Sequence, residues 1–229
     1  MTETNLRKGT SMLGNYKVIL FDLDGTISDP KIGITKSVQY GLKKMNIDEP
    51  DIDKLEHFIG PPLRLSFEES YGFTPDQAMQ AIGYYRERFE EKGMYENTLY
   101  DGIPELLATL KEQGYVLAIA TSKPTVFAEE ILRYFELQHY FDFIGGSNLD
   151  ETRSFKWEVI EYVMQQFKQY TPEQFITIGD RKYDVEGAKK MGIDSIGVTY
   201  GYGSVEELQA ANANYIVHTV KELQNFFIK

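Results

Sequence analysis

Short apolar runs that alternate with stretches of helical spacing restrict this chain more than any other feature of its 229 residues. The runs occupy residues 18–21 (Val-Ile-Leu-Phe), 116–120 (Val-Leu-Ala-Ile-Ala), 141–144, 175–178 and 195–198, and Tyr215-Ile216-Val217 adds a short edge strand. Each is too short to be a buried helix and has the length of a strand. The segments between them carry amphipathic stripes: Ile103, Leu106, Leu107 and Leu110, closed by Gly114; Phe127, Ile131 and Phe135; Val159, Val163 and Phe167; and residues 184–191, stopped at Gly192. Glycine at these ends suits a left-handed helix cap. Strand-helix alternation of this kind predicts an α/β fold with a doubly wound parallel sheet.

The alternation breaks over residues 29–95, where the apolar spacing is helical throughout. Ile34, Val38, Leu42 and Met45 mark one helix and Ala78, Ile82, Tyr85 and Phe89 another. Neither has a sheet to lie on, so they are expected to pack together as an all-α cap. The expected organisation is a leader over residues 1–15, a catalytic core from 16–28 and 96–229, and the cap over 29–95.

Apolar residues at 42% and charged residues at 26% fit a globular protein. With no cysteine, disulfides and thiolate metal sites are excluded. The first apolar run stops at Asp22, far short of a signal-peptide core or a membrane span, which points to a cytoplasmic location. A net charge of −11 without any long Lys/Arg cluster disfavours nucleic acid and anionic membranes as partners. A small phosphorylated metabolite remains possible where local cations reverse the field. Oligomeric state is not readable.

In open parallel sheets ligands bind beyond the carboxyl ends of the strands. Three of those ends are loaded: Asp22-Leu23-Asp24-Gly25-Thr26, Thr121-Ser122-Lys123, and Gly179-Asp180-Arg181-Lys182-Tyr183-Asp184. Asp22 and Asp24, two apart, share a face if the strand continues, and Gly25 lets the chain turn and present N–H groups to an anion. Carboxylates that close stay ionised only around a cation, and an all-oxygen set suits Mg²⁺. Asp180 is expected to add another oxygen, and Asp184, at i+4 on a first helical turn, to approach the same ion or to cap the helix.

With these residues in view, the chain resembles the haloacid dehalogenase superfamily of phosphatases that carry a helical cap after their first motif. The four motifs are Asp22-Leu23-Asp24-Gly25-Thr26, Thr121-Ser122, Lys156, and Gly179-Asp180 with Asp184. Phe58-Ile59-Gly60-Pro61-Pro62-Leu63 and Gly146-Ser147-Asn148-Leu149-Asp150 extend the resemblance to the 5′-nucleotidase and phosphoglycolate phosphatase-like branch. The resemblance implies a Mg²⁺-dependent phosphatase of small phosphate monoesters, working through an aspartyl phosphate. Asp22 would be nucleophile and Asp24 acid/base; Gly25, Thr26, Thr121, Ser122 and Lys156 would bind phosphate, and Asp22, Asp24, Asp180 and Asp184 metal. Acid/base catalysis supplies about 3 to 5 kcal/mol, too little alone, so positioning and charge stabilisation must do most. Two positions depart from the branch pattern: Glu151 stands where Gly is expected, and Tyr183 where His is common.

Each signal has a plainer reading. Asp-x-Asp alone is usually a turn, and Thr121-Ser122 alone a helix cap. Gly201-Tyr202-Gly203 reads as a turn, because Glu206 takes the place of a third glycine, and the three histidines lack ligand spacing. Phe58, Tyr71, Phe73 and Tyr95 are core candidates before they are base-stacking ones. In the cap, Gly60, Pro61 and Pro62 form a stiffened loop expected to meet substrate, and Arg64 either binds the substrate's distal part or pairs with Glu68. Alternatives are a phosphomutase of the same superfamily, disfavoured by Thr26, and a receiver-like phospho-aspartate switch, disfavoured by the large helical insert and by Asp24.

Overall fold

The computed structural model describes residues 15–228, so the expected leader, Asn15 apart, lies outside the described residues. The chain runs β1 (Val18–Phe21), β2 (Ser28–Asp29), α1 (Lys31–Lys44), α2 (Leu63–Tyr71), α3 (Pro75–Glu91), β3 (Thr98–Leu99), α4 (Ile103–Glu112) and β4 (Val116–Pro124). It continues through α5 (Thr125–Tyr134), β5 (Phe143–Ser147), α6 (Lys156–Met164), β6 (Phe175–Gly179), α7 (Lys182–Met191), β7 (Asp194–Val198), α8 (Val205–Ala210), β8 (Tyr215–Val217) and α9 (Val220–Phe227).

Six of the strands form one parallel sheet in the order β5-β4-β1-β6-β7-β8. The strand with neighbours added on both sides is β1, the topological switch point where a crevice opens at the carboxyl edge. Every side chain of β1 is fully buried, and period-2 alternation divides them between two layers. Val18 and Leu20 pack with Val159, Ile160, Val163 and Ala188 of α6 and α7. Ile19 and Phe21 pack on the opposite face with residues of α4, α5 and α9. The same parity directs Asp22, the next residue after β1, toward the α6/α7 layer.

The third strand is displaced from its expected place. The sequence favours residues 141–144, but β5 is Phe143–Ser147, pairing with β4 from Ala118↔Phe143 onward. Gly145 and Gly146 carry no apolar side chain to signal a strand. Yet Gly145 lies so close to α6 that a Cβ there would stand 2.4 Å from a Val163 methyl. Asp142, inside the apparent run, is instead the entry residue, its carboxylate accepting from Leu117 N and Lys111 Nζ.

The helices of the insert pack on one another, as their apolar faces require. Ile34, Val38 and Leu42 of α1 meet Ala78, Ile82, Tyr85 and Phe89 of α3, all buried. Burial of each large side chain is worth roughly 1.5–3 kcal/mol. The start of α3 is fixed by Pro75 and by a reciprocal cap, in which Thr74 Oγ1 accepts from Gln77 N and Thr74 N donates to Gln77 Oε1. Phe58, Tyr71 and Phe73 pack in one aromatic group around Phe67, whereas Tyr95 is 39% exposed. The two crossings into and out of the insert form a feature the sequence does not signal: β2 and β3 pair antiparallel, Ser28 with Leu99 and Asp29 with Thr98. Two residues per strand are too few for a periodic pattern.

Candidate active site

Five residues from five elements converge at the carboxyl end of β1. Asp22 follows β1, Lys156 opens α6, and Asp180 and Asp184 lie at the end of β6 and in the first turn of α7. Lys156 Nζ stands 2.8 Å from Asp22 Oδ1, 2.7 Å from Asp184 Oδ1 and 3.1 Å from the fifth residue's carbonyl, Ala120 O in β4. An ammonium has three protons, so all are committed to protein acceptors. Burial opposes the charge on Lys156, but the carboxylates of Asp184 and Asp22 outweigh it and hold its pKa above the ordinary value.

Asp22, Asp180 and Asp184 each offer a carboxylate oxygen within 4.8 Å of the others, and all three are buried. Of the two roles considered for Asp184, the cap is seen: Oδ2 accepts from Arg181 N at 3.1 Å at the start of α7, while Oδ1 meets Lys156. Asp180 is fully buried; Oδ2 accepts from Tyr202 N at 2.7 Å, and Oδ1 has no partner among the described residues. Burial, reinforced by Asp184 and Asp22, pushes Asp180 well above the carboxylate range. Burial likewise raises Asp184 to about 6, with Lys156 opposing and Asp22 adding. A concentrated, all-oxygen, partly unsatisfied anionic group fits a hard divalent cation such as Mg²⁺.

The fourth expected metal carboxylate is elsewhere. Asp24 Oδ2 is 2.7 Å from Lys123 Nζ, outside the acidic group, because the chain turns directly after β1 instead of continuing the strand. Burial raises the pKa of Asp24, with Lys123 pulling the other way. The turn also changes the expected use of Gly25 and Thr26. Their N–H groups donate to Ser28 O and Leu23 O, so they close the turn and are not left for an anion. Gly25 is nevertheless required: its φ is +81°, and a Cβ would lie 2.2 Å from Asp180 Oδ2. The Thr26 hydroxyl is buried without a partner among the described residues.

Thr121 and Ser122 lie where β4 loses register with β5 between Ala120 and Pro124, an irregularity that re-aims side chains at a strand end. Thr121 Oγ1 accepts from Lys123 N, and Ser122 O from Ser147 Oγ. The cleft between sheet edge and insert is lined by Asp24, Ser122 and Lys123 on one side and by Gly60, Pro61 and Pro62 on the other. Arg64 does not line it; Arg64 Nη1 pairs with Glu68 Oε1 at 3.5 Å, the plainer of its two readings.

Three contributors escape a sequence reading. Lys123 belongs to a loaded strand end, but only the fold shows it paired with Asp24 and 4.6 Å from the Phe89 ring of α3. Arg181 ties the insert to the turn after β6: Nη1 donates to Ile59 O at 2.8 Å and Nε to Glu207 Oε1 at 2.9 Å. Gly60, already singled out in the sequence, has φ +107° and so lets the insert's loop pass over Arg181, whose Cγ would be 3.1 Å from a Cβ. Finally, the Gly201-Tyr202-Gly203 turn buttresses Asp180 through Tyr202 N, and Tyr202 Oη donates to Asp29.

The crowded carboxylates set a stability prediction. A native Asp184 with a pKa near 6 takes up its proton as pH falls through 6, whereas the unfolded chain waits until about its ordinary 3.8. The native state therefore binds more protons in that window and gains stability on acidification; Asp180 acts in the same sense. In EDTA, thermal unfolding should occur at higher temperature at pH 5.5 than at pH 7.5. Mg²⁺ should raise Tm more at pH 7.5 than at pH 5.5, since it competes with those protons. A Mg²⁺ shift independent of pH would contradict this account.

Residues 19–198 match the sequence profile of the haloacid dehalogenase-like hydrolases. The chain belongs to that family, and within it is a phosphatase, a phosphoric monoester hydrolase acting on small phosphorylated substrates. Among curated relatives it is 51% identical over 195 residues to a 5′-nucleotidase of Pseudomonas aeruginosa, covering 85% of this chain and 88% of that one. It is 31% identical over 220 residues to a phosphoglycolate phosphatase of Colwellia psychrerythraea, covering 92% and 96%. The crystal structure of a predicted phosphatase from Clostridium acetobutylicum superimposes with a TM-score of 0.90 at 53% identity, covering 92% of this chain and 97% of that one. No helix among the described residues is long and apolar enough to cross a membrane.

Proposed function

We propose that the chain is a Mg²⁺-dependent phosphatase of small metabolites, of the nucleoside 5′-monophosphate or phosphoglycolate type, in which Asp22 forms an aspartyl phosphate. The observation that carries the reading is the pairing of two carboxylates in unlike settings. Asp22 is held by the Lys156 ammonium on the acidic side, while Asp24, two residues on, lies apart against Lys123 with a raised pKa. The first environment holds and orients a nucleophile; the second raises the pKa of an acid, which suits it to deliver a proton.

In this reading a carboxylate oxygen of Asp22 attacks phosphorus in line, and Asp24 protonates the departing ester oxygen. Asp24 then takes a proton from the water that hydrolyses the acyl phosphate. Lys156 holds Asp22 in place and limits repulsion from an arriving phosphate. Ser122 and Lys123 line the approach. Asp22, Asp180 and Asp184 would hold Mg²⁺, which when bound supplies positive charge to the phosphoryl oxygens. The insert, anchored by Arg181 on Ile59 and by Phe89 on Lys123, would exclude bulk water during transfer. Domain limits of 29–95 for this cap belong to the same proposal, as do the phosphate-contacting roles of Thr26, Thr121 and Ser122.

Phosphate release from nucleoside monophosphates, phosphoglycolate, sugar phosphates and an aryl phosphate tests the reading, with Mg²⁺ or EDTA. Release should require Mg²⁺. Asp24→Asn should lower kcat by roughly 10² to 10⁴-fold for alkyl phosphates. The loss should be smaller for the aryl phosphate, whose leaving group needs less protonation. In the wild type kcat should decline as pH rises past the pKa of Asp24, because the general acid must be protonated. Equal losses of Asp24→Asn on both substrate kinds would remove the acid from the mechanism.

A further inference from the structure

The residues lining the cleft besides Asp24, Ser122 and Lys123 bear on what the leaving group can be. The cleft lined by Asp24, Ser122 and Lys123 is lined also by Arg86 of α3 and Glu151 of the loop after β5. Its walls are apolar, with Ile34, Phe58, Phe89 and Phe127 among them. The charged groups are two pairs. Lys123 is matched by Asp24 at 2.7 Å, and Arg86 Nη2 by Glu151 Oε1 at 2.6 Å, the second pair only 19% and 14% exposed. Arg86 Nη1 also donates to Leu149 O at 2.8 Å. Arg64, another cation near Glu151, is engaged by Glu68.

Among the described residues lining the cleft, Arg86 is the cation outside the acid/base pair, and Glu151 already occupies it, so it is not left over for a second anionic group on a substrate. Such a group would meet the Glu151 carboxylate, in surroundings where repulsion is poorly screened. Glu151 is also held at φ +64°, a conformation that favours glycine. A side chain kept there against its backbone preference, and spent on a cross-cleft ion pair, points to a use for the carboxylate itself.

We infer that Glu151 and Arg86 form a charge-balanced wall that selects phosphate monoesters whose leaving group is otherwise uncharged and carries an apolar or aromatic ring. Monoesters with a second anionic group, such as the carboxylate of phosphoglycolate, are rejected. Glu151 and Leu149 O are acceptors, so N–H or O–H donors on the leaving group fit the wall as well. The inference rests on the phosphatase reading and narrows its substrate class.

The test compares kcat/KM for a nucleoside 5′-monophosphate, phosphoglycolate and p-nitrophenyl phosphate in the wild type, Glu151→Gln, Glu151→Gly and Arg86→Met. The wild type should prefer the nucleoside monophosphate over phosphoglycolate by at least about tenfold. Both Glu151 variants free the Arg86 guanidinium, so the phosphoglycolate-to-nucleotide ratio should rise at least about tenfold. Glycine suits the left-handed backbone, which guards that variant against misfolding. Arg86→Met leaves Glu151 unpaired and should move the ratio the opposite way. A ratio of two substrates on one preparation does not depend on the fraction folded. A wild type that prefers phosphoglycolate, or Glu151 variants with an unchanged ratio, would overturn the inference while leaving the phosphatase intact. Absence of release from all three compounds by the wild type would remove the phosphatase reading and the inference with it.

Discussion

Asp22→Asn is expected to lower phosphate release by about 10⁴-fold or more on every substrate, the scale of loss when a covalent nucleophile is removed. The substitution keeps size and shape. The new amide oxygen can still accept from Leu23 N, as Asp22 Oδ1 does at 2.8 Å, and Lys156 keeps Asp184 and Ala120 O. One of three carboxylates within 4.8 Å loses its charge, so the fold in EDTA should be no less stable than the wild type. Stability and activity thus separate: steady-state phosphate release should collapse while Tm in EDTA holds or rises. Retained turnover at about a tenth of the wild-type rate would mean that another group attacks phosphorus.

Lys156→Met should damage both. The ammonium is 3% exposed and touches two carboxylates that are themselves 5% and 2% exposed. Removing one partner of a buried ion pair typically costs about 3–5 kcal/mol, because the remaining charge is left uncompensated. Here Asp22 and Asp184 are left facing Asp180, whose pKa burial already raises. Urea unfolding in EDTA at pH 7.5 should show a loss of about that size. The loss should shrink at pH 5.5, where protons on Asp180 and Asp184 replace the missing charge, and should shrink again with Mg²⁺. Phosphate release should fall as well, since Asp22 loses the group that orients it. A variant as stable as the wild type in EDTA at pH 7.5 would show that the carboxylates do not need Lys156.

Much of the site was legible because its parts obey one-dimensional rules. Apolar runs of strand length located β1, β4, β6 and β7 to within a few residues, and the polar residues at their ends supplied Asp22, Thr121, Asp180 and Asp184. Helical spacing located α1, α3, α4 and α7, and Gly114 and Gly192 fall in the left-handed conformation their positions suggest. Glu151 stood out against the family pattern because a positive φ there normally calls for glycine. The displaced β5 was not legible, since Gly145 and Gly146 are strand residues by virtue of what packs against them.

The sequence by itself determined the alternation of strands and helices, the break made by the helical insert, and the order of the four motifs, because hydrophobic period and chain turns are local properties. Only the tertiary structure decided which charges meet. Lys156 stands 134 residues from Asp22 along the chain yet shares its oxygen, and Asp24 turns away from the other aspartates to Lys123. Arg86 crosses from the insert to Glu151, and Arg181 from the core to Ile59. Coulomb and hydrogen-bond energies depend on distance in space and on burial, and neither quantity is encoded by spacing along a chain.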